Sequence, residues 1–146
     1  MAGPWCELHC HSYHSLLDGV SSPEALAKQA SALGYCALAL TDHDSMAGIV
    51  AHATACATAG IRPIAGVELT LDDGAHLTLL ARDAEGYRSL SRLLSTAQLR
   101  GEKGAPQARL EDVLADQERR HGEALFGRWQ ADPLDREGWR RDDWRP

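Results

Sequence analysis

Long apolar runs are missing from this sequence. No stretch reaches the roughly 18 consecutive apolar residues that a membrane-spanning helix needs, so no membrane association is expected. A secretory leader is missing too: Met1-Ala2-Gly3-Pro4-Trp5 has neither a basic segment nor an apolar one. The expected compartment is the cytoplasm. Basic residues are outnumbered, 15 Lys and Arg against 21 Asp and Glu, for a formal net charge of −6. That argues against a protein whose whole surface grips nucleic acid. It leaves room for an acidic pocket filled by divalent cations, because bound cations reverse the local charge.

Cysteine is sparse. Cys6, Cys10, Cys36 and Cys56 contain no CxxC pair, which excludes a zinc ribbon or a thioredoxin motif. In a reducing compartment they are not expected to form disulfides. Cys36 and Cys56 sit among alanines and leucines and read as small buried hydrophobes. There is no Walker A loop, dinucleotide GxGxxG, GxSxG elbow or HExxH. No internal repeat is visible.

What is present is an alternation of strand and helix signals within a length suited to one domain. Cys6 to His11 alternates as a strand does. Ser21-Ser22-Pro23-Glu24 starts a helix with a serine cap, a first-turn proline and an acid. Leu26, Ala30 and Leu33 continue it at helical spacing, and Gly34 ends it. Ala37 to Thr41 is a short run fit for a buried strand. Ser45 is the expected cap of a second helix with Met46, Ile49, Val50, Ala53 and Ala57 on one face, ended by Gly60. Ile64 to Leu71 and His76 to Ala81 read as strands joined by the Asp72-Asp73-Gly74 turn. A third helix carries Tyr87, Leu90, Leu93, Leu94 and Ala97 along its stripe. This order predicts an α/β fold with largely parallel strands. Leu110 to Ala115 could begin another helix. From residue 116 to 146 the composition turns to charge, with three of the four tryptophans (Trp129, Trp139, Trp144). The expected division is a domain over 5–115 and a poorly ordered tail over 116–146.

Residues two apart on a strand share a face, so His9 and His11 project together and Cys10 points into the helical layer. A His-x-His pair alone is a weak signal. It gains weight because other imidazoles and carboxylates fall at strand ends, where sites of parallel α/β folds assemble. Strand two ends in Thr41-Asp42-His43-Asp44, strand three near Glu68, and the first loop carries Asp18. His9, His11, Asp18, His43 and Glu68 can therefore meet in one cleft. His76 opens its strand, so only an irregular or antiparallel strand brings it to the same end. Imidazole with carboxylate, and no thiolate, suits catalytic zinc, manganese or iron. More than four candidate ligands imply more than one cation. A carboxylate such as Glu68 can bridge two cations, the usual arrangement for phosphoester hydrolysis, in which they bind phosphate oxygens and acidify a water to a pKa of about 7. Asp18, before Gly19, could equally be turn chemistry. Asp42 and Asp44 could be helix-capping groups or groups that hold ligands in place, the latter favoured for Asp42. His14, His52 and His121 read as ordinary, with His52 off its helix's apolar stripe.

Taken together, "ELHCHS", "SLLDG", "ALALTDHDSMAG", "PIAGVELTL" and "HLTLLARDAEGYRSLSRLLS" resemble the PHP domain (polymerase and histidinol phosphatase). More narrowly they resemble the PHP region of bacterial C-family polymerases of the error-prone branch. The resemblance covers about residues 5 to 115. It implies a partial distorted (β/α)7 barrel of the TIM-like type, with His9, His11, Asp18, His43, Glu68 and His76 as metal ligands. Glu68 and Asp18 would carry the catalysis, and Asp42 would support the ligands. It implies one to three divalent ions (Zn, Mn or Fe) and phosphatase or 3'-5' exonuclease chemistry. Partners would be DNA or a nucleotide phosphate and a polymerase-domain or replication-subunit partner. It also implies later ligands, a cysteine or histidine and an Asp-x-His pair, which residues beyond 115 do not supply, so a truncated chain is expected. The alternatives are a non-catalytic docking module of a polymerase and a stand-alone PHP-type phosphatase.

Overall fold

Twice the chain crosses from a strand through a helix to the next strand, and each crossing lays the new strand parallel to the last. The computed structural model describes residues 5–121. Strand β1 (Trp5–Glu7) is followed by α1 (Pro23–Ala32), β2 (Tyr35–Leu40), α2 (Ile49–Ala59) and β3 (Arg62–Thr70). Then come β4 (His76–Leu80), α3 (Ala84–Arg100) and α4 (Leu110–His121). The sheet order is β1-β2-β3-β4, with β1, β2 and β3 parallel and β4 antiparallel to β3. The sheet curls into a half-barrel of the expected α/β type. Helix α4 runs six residues past the expected domain end at 115; the rest of the charged tail lies outside the described residues.

Local signals explain most of the element ends. Ser22 caps α1 by accepting from the Ala25 amide at 3.2 Å, with Pro23 in the first turn. Asp83 caps α3 by accepting from the Gly86 amide at 2.7 Å. The β3–β4 turn needs a left-handed residue, and Gly74 provides it at φ +84°.

Two apolar clusters hold the layers together. One joins Leu40, Ala65, Val67 and Leu69 of the sheet to Leu90, Leu93 and Ala97 of α3 and Val113 of α4. The other packs Ala27 and Ala30 of α1 against Leu38, Cys56 and Ile61, with Cys10 beside it, as expected for a residue facing the helices. Among the described residues no helix is long and apolar enough to cross a membrane.

Several local expectations are corrected. The regular ladder of β1 ends at Glu7 rather than His11; beyond it the Thr41 amide donates to Cys10 O at 2.9 Å, while the Cys10 amide donates to the Thr41 side chain, Oγ1, at 3.0 Å. Leu33 is exposed, since it stands at the C-cap of α1 and has left the helical stripe. Cys36 is exposed, lying where the β1–β2 register slips. Helix α2 begins at Ile49 with Gly48 as its cap, not Ser45. A Cβ on Gly48 would sit 2.8 Å from His14 Cδ2, so the His14 ring would have to shift to admit one.

Helix α2 is also rotated relative to the expected stripe. Ile49, His52 and Cys56 face inward and Val50 is exposed. His52 is fully buried, which its polarity disguised. Its ring Nε2 donates to the Leu38 carbonyl at 3.0 Å, satisfying the nitrogen that burial would otherwise penalise. Burial, partly offset by that bond, holds the His52 pKa below the ordinary imidazole value of 6.5. Below about pH 6.5 the unfolded chain gains a proton that the folded chain refuses, so stability falls as pH drops toward the folded value. His52→Leu removes this contribution. Between pH 6.5 and 5.5 the natural chain is expected to lose more stability than the variant in urea unfolding; equal slopes would contradict the assignment.

Candidate metal centre

The carboxyl ends of the parallel strands are where six polar side chains converge. His9 and His11 lie on the extended segment that continues β1, and His43 follows β2 by three residues. Glu68 stands near the end of β3 with its carboxylate 6% exposed. His76 opens β4 and pairs with Thr70 in the β3–β4 register. An antiparallel strand starts where its parallel neighbour ends, and this places His76 with the others.

Glu68 is the hub, and its two oxygens face different partners. Oε2 contacts His9 Nε2 and lies 3.1 Å from His11 Nε2. Oε1 lies 2.8 Å from His76 Nδ1 and 3.8 Å from His43 Nδ1. Asp18 closes the open side, with Oδ2 at 2.5 Å from His11 Nδ1 and 3.3 Å from His43 Nε2. His9 Nε2 and His11 Nε2 are 3.2 Å apart. The His11 and His43 rings stand 4.4 Å apart between centroids, and His43 and His76 5.1 Å.

Charge and burial work against each other at the hub. Burial pushes the Glu68 carboxyl up, but hydrogen bonds from His76, His9 and His11 outweigh it and hold the pKa at about 2. For His11, burial pulls the pKa down, and the hydrogen bonds to Asp18 and Glu68 overcome this and raise it. Asp18, exposed, is lowered chiefly by its hydrogen bond with His11.

The donor set fits divalent cations. His9, His11 and Glu68 form one group; His11, Asp18 and His43 a second; His43, Glu68 and His76 a third. Within each, one ligand atom per residue lies within 4.8 Å of the others. A tetrahedral cation with ligands at about 2.1 Å holds them about 3.4 Å apart. The contacts of 3.1 Å between His11 and Glu68 and 3.3 Å between His43 and Asp18 match that spacing.

The loop between His11 and Asp18 is held by Asp42, the residue expected to support the ligands, through Ser12 and Ser15, which the motif reading passed over. Asp42 is 1% exposed and accepts three hydrogen bonds: Ser12 N at 2.7 Å, Ser12 Oγ at 2.8 Å and Ser15 Oγ at 2.7 Å. Ser15 Oγ in turn accepts from the His43 amide at 3.0 Å. Asp42 thus ties the loop carrying His11 and Asp18 to the strand end carrying His43. Ser12 and Ser15 have no sequence signal of their own, since serines at such a spacing are common in turns. Gly19 closes the loop: its amide donates to Ser15 O at 2.9 Å, and a Cβ there would lie 1.9 Å from Ser12 O. His14 and His52 lie outside the three groups.

A TIM-like half-barrel with imidazoles and carboxylates gathered at its strand ends defines an α/β domain of the PHP and amidohydrolase type. The chain matches the PHP domain over residues 7–129 and belongs to that family. It is 46% identical over 134 residues to the error-prone DNA polymerase of Mycobacterium tuberculosis strain ATCC 25618 / H37Rv, covering 84% of this chain and 12% of the relative. Over 92 residues it is 49% identical to the error-prone DNA polymerase of Symbiobacterium thermophilum, covering 63% of this chain and 8% of that one. The chain therefore spans about an eighth of the M. tuberculosis polymerase and less of the second. Among solved structures, an amidohydrolase from Chromobacterium violaceum with bound sulfate and no metal aligns with TM-score 0.53 and 35% identity. The alignment covers 63% of this chain and 32% of that one.

Proposed function

We propose that this chain is the PHP module of an error-prone-polymerase-type protein and that its six-residue cluster hydrolyses a phosphate ester with the help of two divalent cations. The observation that carries this is the division of the Glu68 carboxylate, one oxygen toward His9 and His11 and the other toward His43 and His76. His11 and His43 each stand in two of the three groups. Filling all three would need both nitrogens of each ring stripped of protons, so two cations is the favoured number. His9, His11 and one Glu68 oxygen would hold the first; His43, His76 and the other oxygen the second. Bound there, zinc, manganese or iron supplies Lewis acidity and a water acidified to a pKa near 7.

The chain's own residues supply the rest. Glu68 fixes the separation of the two positions. Asp18, exposed and held ionised by His11, lies at the mouth, where it can orient and accept a proton from the attacking water. The overall charge of −6 disfavours broad binding to a duplex and suits an approach by one phosphate at a strand end. Sulfate, a tetrahedral oxyanion like phosphate, is bound by the C. violaceum neighbour. DNA or a nucleotide phosphate is thus the favoured substrate class, and a polymerase segment the favoured partner. The supporting role of Asp42 in this reading rests on its bonds to Ser12 and Ser15.

The test is metal analysis of the purified, folded chain together with manganese- or zinc-dependent release from a 3'-labelled oligonucleotide. About two cations per chain and turnover that is lost in His9→Ala are expected. Absence of bound cation, or turnover unchanged in His9→Ala, overturns the reading. A non-catalytic docking module has one observation in its favour: the matched polymerases are far longer than this chain. Cation binding without turnover would select it.

A further inference from the structure

We infer that Asp44 is a positioning residue for the cation pair, acting as a side-chain rung that holds His43 against Glu68. The inference rests on the two-cation reading and extends it to a residue outside the ligand set.

The parallel ladder of β2 and β3 continues past its regular end through two backbone bonds. The Glu68 amide donates to Asp42 O at 3.1 Å, and the Asp44 amide donates to Glu68 O at 2.9 Å. The next rung of a parallel ladder would run from the Thr70 amide to the Asp44 carbonyl. It does not. Asp44 has φ +47°, in the left-handed region, and the chain turns there out of the sheet. Its carbonyl accepts instead from Gln98 Nε2 of α3 at 3.2 Å. The Asp44 carboxylate takes the vacated place, accepting from the Thr70 amide at 2.9 Å.

This substitution explains the residue type. The position needs a side chain that tolerates the left-handed conformation and carries an acceptor two bonds beyond Cβ. Among L residues, Asp and Asn meet both demands. The gain is positional. His43 sits one residue before the turn and Glu68 two before Thr70, so the rung pins the pair from the far side. Thr70 is also the register partner of His76. The rung therefore bears directly on His43, Glu68 and His76, and reaches the His9–His11 group only through the shared Glu68.

Two variants separate the demands. Asp44→Asn keeps the conformation and the acceptor. Asp44→Gly keeps the conformation and removes the acceptor. In the full chain, zinc binding is followed through the ring 1H–15N signals of each histidine, and amide hydrogen exchange is read at Thr70. For Asp44→Gly, Thr70 exchange is expected to rise about tenfold, the loss of one hydrogen bond, and zinc affinity at the His43–Glu68–His76 group to fall by about the same factor. The His9–His11 group, which feels the rung only through the shared Glu68, should weaken clearly less, and Asp44→Asn should resemble the natural chain in both readouts. Unchanged behaviour in Asp44→Gly overturns the inference. So does equal weakening of both groups, which a general loss of stability would produce. If the natural chain takes up no zinc, the metal reading fails by itself. The metal-free Asp44→Gly chain then decides: unmoved His43 and His76 ring signals with unchanged Thr70 exchange overturn the positioning role, and shifts confined to those rings sustain it.

Discussion

Glu68→Gln is expected to abolish binding of the cation pair and to lower hydrolysis roughly a thousandfold, the loss of several kcal/mol of cation stabilisation. Glutamine keeps the volume and one carbonyl oxygen, so the fold has no steric reason to fail. It removes the charge and replaces one oxygen by an NH2 group. Whichever group is left facing that amide, His9 with His11 or His43 with His76, keeps two imidazoles and loses its anion. Metal analysis should fall from about two cations per chain to less than one. Retention of two would show that Glu68 does not bridge.

The same variant has a metal-free signature. Glu68 is held at about pKa 2 against an ordinary 4.5 because His76, His9 and His11 outweigh the effect of its burial. A carboxylate with a depressed folded pKa stabilises fully above its unfolded value, and this is lost as pH falls through the folded one. In the presence of chelator, the natural chain should therefore lose stability between about pH 4.5 and 2 that Glu68→Gln does not lose. Acid titration followed by circular dichroism checks this, and parallel curves for the two chains would refute it.

Asp42→Ala is expected to cost about 3–5 kcal/mol, the penalty for leaving three buried neutral donors without their acceptor. Asp42, Ser12 and Ser15 are all almost fully buried. Truncation leaves two buried hydroxyls and the Ser12 amide without their acceptor. Against a total stability of order 5–15 kcal/mol, this lowers the melting temperature by about 10–20 °C. Asparagine at this position should recover part of the loss, because its Oδ1 still accepts from the Ser12 amide and the Ser15 hydroxyl and its NH2 meets only the Ser12 hydroxyl, which can accept. Cation binding should weaken as well, since the loop carrying His11 and Asp18 loses its tie to the His43 strand end. A melting temperature within about 3 °C of the natural chain would refute the network's role.

Caps, turns and strand candidates were legible in the sequence because each rests on neighbours in the chain. Ser22 with Pro23 started α1, and Asp72-Asp73-Gly74 turned β3 into β4. The orientation of α2 was not legible. Its small residues form a weak stripe, and the inward face was decided by a hydrogen bond from His52 to Leu38, fourteen residues away. Cys36 looked like a core residue by composition, yet a register slip against β1 left it outside.

The candidate site divides in the same way. The sequence by itself determined the kinds of candidate ligand, four imidazoles and two carboxylates, and placed five of them near the carboxyl ends of strands. Only the tertiary structure decided that they converge. The antiparallel start of β4 brings His76 to the common end, the buried Asp42 folds the Ser12–Ser15 segment so that Asp18 returns to His11, and Asp44 takes over a ladder rung as the chain leaves the sheet. The physical reason is that each of these rests on hydrogen bonds between segments far apart in the chain, where local propensity has no purchase.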